Sequence, residues 1–371
     1  LLYLMYTWMA GHHWLPGHWP IDVVIFRSAL AIIFSFLLVL VAGRPTIEWL
    51  RRQKLGDQPE FNHAQINALT SSKANTPTMG GMLIILSIFL TTLIFARLDN
   101  FYVRMGLLCL VYLGTLGGVD DWLKLTAKRR VPGSRDGLFW WEKMVFQIGL
   151  GVLLALFIYY HGKYDQAHYL NWPFLPRDIV LPTWLFAIIS VVVITGTSNA
   201  VNLTDGMDGL ASGCMAIVAF AFMILAYVTG DARWAGNLNF NHIRDAGELA
   251  IICGSITGSC LGFLWFNCNP AQVFMGDTGS LALGGVVGYV AIVIRQEPML
   301  LLVGGIFVME ALSVMIQVGY FKATHGKKVF LCSPIHHHFH LKGWSEPQIV
   351  VRFWLLSALF AAMALATVKL R

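Results

Sequence analysis

Three groups of acidic residues each adjoin the end of a long apolar run. They are Asp120 with Asp121, the segment Asn199 to Asp208 (NAVNLTDGMD), and Asp277 within FMGDTGS. Ionisable side chains beside membrane spans are costly to place and point to function by default. Neighbours such as Asp120 and Asp121 diverge by about 100° on a helix. One can meet a metal or a nucleophile while the other orients a neighbouring base; alternatively the pair is a helix end neutralised by Lys124 and Lys128. Asn199, Asn202, Asp205 and Asp208 recur at every third position, which lines one face of a helix or of a tight loop entering one. Such side chains bind a hard cation or hydrogen-bond a base and a sugar, and a helix cap would need only one of them. Asp277, with Thr278 and Ser280, opens an apolar run. Free N–H groups at a helix start suit a magnesium-phosphate group there, with a simple cap as the alternative. His336, His337 and His338, followed by His340, lack zinc-site spacing, because consecutive side chains diverge and no H-E-x-x-H or Cys pair lies near. Beside Lys327, Lys328 and Lys342 they suit phosphate binding or a general base.

The elements that must position these groups are apolar. The chain has 371 residues, of which 57% are hydrophobic and 12% charged, with a mean hydropathy of +0.64. Soluble proteins lie nearer half apolar and a quarter charged. Apolar blocks long enough to cross a bilayer predict ten spans, near 22–43, 79–97, 101–119, 144–161, 182–199, 209–230, 247–267, 278–295, 299–321 and 349–369. Backbone groups cannot stay unpaired in lipid, and the blocks lack the alternation of a barrel, so the expected fold is all-α. It is a polytopic integral membrane protein with one domain over residues 1–371. The first twenty residues lack a basic leader and an A-x-A site and are not read as a removed signal peptide. The six cysteines include no C-x-x-C, which argues against a disulfide framework or zinc knuckle. No P-loop, G-x-S-x-G or dinucleotide fingerprint occurs, which disfavours an ATP-driven pump or a serine hydrolase. Within the ninth block, Gln317 is within reach of a site at the block's end, and Glu310 reads as a helix–helix contact. Arg27 and Arg352 read as packed or snorkelling.

The net charge of +6 is unevenly placed. The first, third and ninth connections carry most of the Lys and Arg, including Lys73, Lys128 and Lys143, so the odd connections are expected in the cytoplasm. Both termini then face the periplasm. SSKANTPTMGG, Asp120-Asp121, NLTDGMDG, NCNPAQVFMGD and PIHHHFHLKGW all fall on odd connections, which predicts one site on the cytoplasmic face. A substrate met there is water-soluble and anionic, and nothing in the charge pattern calls for nucleic acid.

TPTMGG (76–81), GVDDWLK (118–124), TSNAVNLTDGMDGLA (197–211), GFLWFNCNPAQVFMGDTGSLALGG (262–285), FVMEALSVMIQVGYFK (307–322) and PIHHHFHLKGW (334–344) together resemble the polyprenyl-phosphate N-acetylhexosamine-1-phosphate transferases. The triple His block resembles the phospho-N-acetylmuramoyl-pentapeptide-transferase branch. The resemblance implies ten helices, a homodimer in the bacterial inner membrane, and a cytoplasm-facing site served by a lipid groove. It implies that UDP-N-acetylmuramoyl-pentapeptide and undecaprenyl phosphate give lipid I and UMP with Mg2+ as cofactor. It makes Asp277 the magnesium ligand with Asn202 in reach, and Asp120 the residue facing the lipid phosphate with Asp121 beside it. Asn199, Asp205, Asp208, Asn267, Phe274, Gly276 and Gln317 match nucleotide-sugar positions. Lys73, Lys128, Lys143, His336, His337 and His338 match phosphate-side positions, and Thr78 lies in the TPTMGG motif. A sister transferase using UDP-N-acetylglucosamine is the nearer rival, disfavoured by the His block. A cation-coupled transporter would place its ionisable groups near the bilayer midplane.

Overall fold

The computed structural model describes residues 22–53, 76–127, 137–161, 169–172 and 179–368, together with Tyr3, Met5, Met9 and His12. Among them, nine helices are long and apolar enough to cross a membrane, and the apolar helix Gly81–Phe95 is shorter, at 15 residues. The chain is a mostly helical, polytopic membrane protein. In order the elements are α1 (Val24–Arg52), α2 (Gly81–Phe95), α3 (Phe101–Ala127), α4 (Trp140–His161), β1 (Tyr169–Leu170), β2 (Ile179–Val180), α5 (Thr183–Thr204), α6 (Leu210–Gly230), α7 (Ala232–Asn237), a 3-10 turn (Ala246–Glu248), α8 (Leu249–Asn267), α9 (Gly276–Val293), α10 (Glu297–Val303), α11 (Gly305–Ala323), α12 (Ile335–Leu341) and α13 (Glu346–Thr367).

Helices α8 and α9 form the centre and are buried on nearly every side. Helix α8 packs against α1 and α6, and α9 against α3 and α5. In lipid no hydrophobic force drives helices together, so small residues that let backbones approach set the packing. At Gly258 of α8 a Cβ would lie 2.1 Å from the Ile32 carbonyl oxygen of α1. Leu, Ile and Phe on α1, α4 and α13 instead face outward, as lipid-facing helices require.

The fold is helical as expected, with one short antiparallel ribbon among the described residues in which Tyr169 pairs with Val180 and Leu170 with Ile179. Other element bounds differ from the apolar blocks. The ninth block divides at Gly304 into α10 and α11. Helix α2 starts only at Gly81, because Pro77 and Gly80 are held by backbone bonds to Phe274 (2.8 Å each). Helices α1 and α3 outrun their apolar blocks, α1 through Pro45 to Arg52. Helix α3 carries Asp120 and Asp121 inside the helix rather than at the start of a loop.

At the end of the bundle far from these carboxylates, Arg27 of α1 is buried rather than snorkelling. Its Nη2 and Nη1 donate to Glu248 Oε1 and Oε2 at 2.6 and 2.9 Å, and Nη1 also reaches the Phe95 carbonyl at 3.0 Å. Glu248 further accepts the Arg97 N–H at 3.0 Å, tying α1, α2 and α8 together. Breaking a buried pair strands a charge and costs about 3–5 kcal/mol. Glu248→Ala should therefore lower the melting temperature in detergent steeply, and Arg27→Met with Glu248→Leu should recover most of the loss.

Candidate active site

Asp120 and Asp121 occupy the last turns of α3, and Asp277 the first turn of α9. The helices meet so closely that a Cβ on Gly117 would lie 2.2 Å from the Asp277 carbonyl oxygen. Asp121 points across this contact. It accepts the N–H of Asp277 at 3.1 Å, and the N–H and hydroxyl of Thr278 at 2.9 and 2.6 Å. It thus satisfies donors that a helix start leaves unpaired. Asp120 points the other way. Its Oδ1 accepts the Leu138 N–H at 2.7 Å. Its Oδ2 lies 2.6 Å from Lys143 Nζ and 2.8 Å from Lys124 Nζ. The same two ammonium groups reach Asp277 Oδ2 at 2.8 and 3.1 Å. The divergence of neighbouring helix residues therefore sends one carboxylate into the backbone and the other into a charged cluster.

From α5, Asn202 Nδ2 donates to Asp277 Oδ1 at 2.7 Å and to Ser280 Oγ at 3.0 Å. The Asn202 amide, rotated by half a turn, would present an oxygen beside Asp277, since the two ends of an amide are assigned from their partners. All the nearby donors are hard oxygens, which suits magnesium. No three His, Cys, Asp or Glu side chains among the described residues form a metal cage. The arrangement fits a cation that arrives with phosphate oxygens and water rather than one held by protein alone. Asp205, at the end of α5, is partly open to solvent. Enclosure by protein, then the charges of Asp277 and Asp121, push its carboxyl up to about 7, against a hydrogen bond from the Gly276 backbone. Gly276 has a φ of +74°, and a Cβ there would lie 2.7 Å from Asp121 Oδ2 and 3.0 Å from Thr78 Oγ1. Glycine is the residue that fits both constraints.

The other expected positions stand around this cluster rather than in it. Asn199 donates to Gln147 Oε1 at 2.8 Å, within a network that runs through Ser198 to the Leu281 carbonyl. Asp208 accepts from Asn269 Nδ2 and the Ala271 N–H at 3.0 and 3.1 Å, while its own N–H donates to Glu346. Asn267 accepts from the Gly209 N–H and the Ser212 hydroxyl and donates to the Val273 carbonyl. Phe274 is held at both backbone atoms by the 77–80 segment. Gln317 accepts the N–H groups of Val329 and Phe330 and donates to the Phe330 carbonyl, bracing that loop. His336 is fully buried, and His337 nearly so with its ring 4.2 Å away. His338 Nδ1 accepts the Leu331 N–H, and burial and then Lys342 hold its pKa below the ordinary value. Lys73 and Lys128 lie outside the described residues.

Sequence reasoning passed over Lys124 as a site residue, although it stands one helical turn from Asp120. It also did not single out Asn269 and Glu346, which only the fold brings to Asp208. An apolar groove of about 620 Å³ runs between α2 and α3 from Phe89 to Trp122 and ends at Thr278, the residue bonded to Asp121.

Glycosyl transferase family 4 matches residues 103–295, and phospho-N-acetylmuramoyl-pentapeptide-transferase signature 1 matches residues 73–85. The chain is 44% identical to the phospho-N-acetylmuramoyl-pentapeptide-transferase of Desulfotalea psychrophila, over 100% of this chain and 99% of that one. It is 42% identical to the enzymes of that name from Thermodesulfovibrio yellowstonii and Rickettsia felis, each over 94% of both chains. The site motifs, the membrane fold and these full-length matches agree: the chain belongs to the phospho-N-acetylmuramoyl-pentapeptide-transferase family.

Proposed function

We propose that the chain transfers phospho-N-acetylmuramoyl-pentapeptide from UDP-N-acetylmuramoyl-pentapeptide to undecaprenyl phosphate, forming lipid I and releasing UMP for peptidoglycan synthesis. The observation that carries the reading is the Lys143 ammonium group, which joins Asp120 and Asp277 into one charged cluster. An anionic diphosphate needs those cations, and an apolar acceptor suits the groove that ends at Thr278. The protein acts as a single domain and a homodimer in the bacterial inner membrane, with both termini periplasmic and the site on the cytoplasmic face.

In this reaction an oxygen of the lipid phosphate attacks the phosphorus that bears the sugar. The bond from that phosphorus to the bridging oxygen breaks, and UMP leaves with that oxygen and the electron pair. The lipid phosphate is largely ionised at neutral pH, since its second pKa is about 6, so a strong base is unnecessary. Asp120 has both oxygens engaged by donors, which makes it a holder of Lys124 and Lys143. Those two lysines, with Lys73 and Lys128, offset charge on the phosphates. Asp277 and Asn202 would hold magnesium, which when bound would supply positive charge to offset that of the phosphates. Thr78, Asp121 and Gly276 keep the start of α9 in place. Asn199, Asp205, Asp208, Asn267, Phe274 and Gln317 shape the nucleotide-sugar side, and His336, His337 and His338 its phosphate side.

Asp277→Asn should cut UMP release by about 100-fold or more, measured in detergent with both substrates and magnesium. Near-normal magnesium-dependent turnover would remove Asp277 from the metal role. With UDP-sugar alone, the wild-type protein should release no UMP, because direct attack needs the acceptor; a burst of UMP with a phospho-sugar adduct would show a covalent route. Asp205 gives a pH prediction. Its folded pKa lies above the ordinary carboxylate value, so its contribution to stability is fully present below about pH 4 and is lost as pH rises to about 7. Without metal or substrate, Asp205→Asn should flatten the fall in melting temperature across that window.

A further inference from the structure

Glu310 lies in the second turn of α11, a membrane helix, and is fully buried. A carboxylate there is expensive and calls for a specific partner. Its Oε2 stands 3.1 Å from Nδ1 of His336, which is also fully buried. The contact is close but lacks the alignment of a full hydrogen bond, and neither Glu310 oxygen has another aligned partner. Glu310 also faces Cys214 of α6, beside which the Ser357 hydroxyl of α13 lies without a hydrogen-bond partner. These groups bring no positive charge. On the far side of the imidazole, Nε2 is aimed at Gly206, where a Cβ would lie only 2.5 Å from it. The His337 ring stands 4.2 Å from that of His336. His336 is therefore wedged between one buried carboxylate and the Asp205–Asp208 turn.

We propose that Glu310 is a positioning residue that acts through His336. A carboxylate facing Nδ1 keeps the proton on that nitrogen and fixes the orientation of the ring. Held in this way, Nε2 buttresses the turn at Gly206 and sets where Asp205 stands beside Asp277. Glu310 touches no substrate; its effect on turnover runs through one ring and one turn. The kinetic part of the proposal rests on the transferase reading above.

The test is a double-mutant cycle on full-length protein in detergent, with Glu310→Gln and His336→Asn alone and combined. Glutamine keeps the volume and an acceptor, so the fold is spared. Glu310→Gln should lower kcat/KM about tenfold with His336 present, and by less than about twofold once His336 is replaced. The loss should lie mainly in kcat. Equal losses in both backgrounds would mean simple packing and overturn the proposal. A second readout needs no turnover: 15N spectra of histidine-labelled protein, with the His336 signal assigned by its loss in His336→Asn. Nδ1 of His336 should carry the proton in the parent protein, and the spectrum should change in Glu310→Gln; an unchanged spectrum would also overturn it. If the parent protein released no UMP from either UDP-sugar, the transferase reading would fall while the spectra still decided the Glu310–His336 link.

Discussion

Two carboxylates from different helices share two ammonium groups, and one end of the molecule is arranged around that sharing. Asp120 Oδ2 and Asp277 Oδ2 both bind Lys143 and Lys124. Charges at the edge of an apolar bundle are tolerated when paired and hydrogen-bonded. Their mutual satisfaction fixes how α3, α4 and α9 meet. A lysine shared by two carboxylates is also a cation ready to be shared with an incoming phosphate, so the interaction that stabilises the resting site is of the kind the proposed chemistry uses.

The cluster needs close backbones beneath it. The contact of Gly117 with the start of α9 brings Asp121 within reach of the Asp277 and Thr278 amides. The 77–81 segment pairs with residues 274 and 275 through backbone bonds, which seats Thr78 beside Gly276. Farther out, Asp208, Asn267 and Gln317 spend their hydrogen bonds on loops. They hold the walls that the cluster depends on.

Much of this was legible in the sequence. The apolar blocks announced a membrane bundle, and the parity of the polar motifs grouped segments that are in contact in the fold, among them residues 77–81, 120–121, 202–208, 267–277 and 336. The divergence of adjacent helix residues anticipated that Asp120 and Asp121 would do different work. Other features were hidden because they depend on distant partners. Glu310 read as a helix–helix contact, and its neighbour proved to be a histidine on α12. Arg27 could be packed or snorkelling until Glu248 appeared across the interface. Lys143 of α4 sits at the centre of the cluster, where only the fold brings it between Asp120 and Asp277.

By itself the sequence determined the class of the molecule, its span pattern and the residue types of its site. Hydropathy and charge are local properties, and lipid allows few ways to satisfy a backbone. The tertiary structure decided which carboxylate meets which lysine, which polar residues brace loops, and where His336 points. Those outcomes turn on helix approach distances of an ångström or two, set by side chains far apart in the chain, and spacing along a sequence does not carry them.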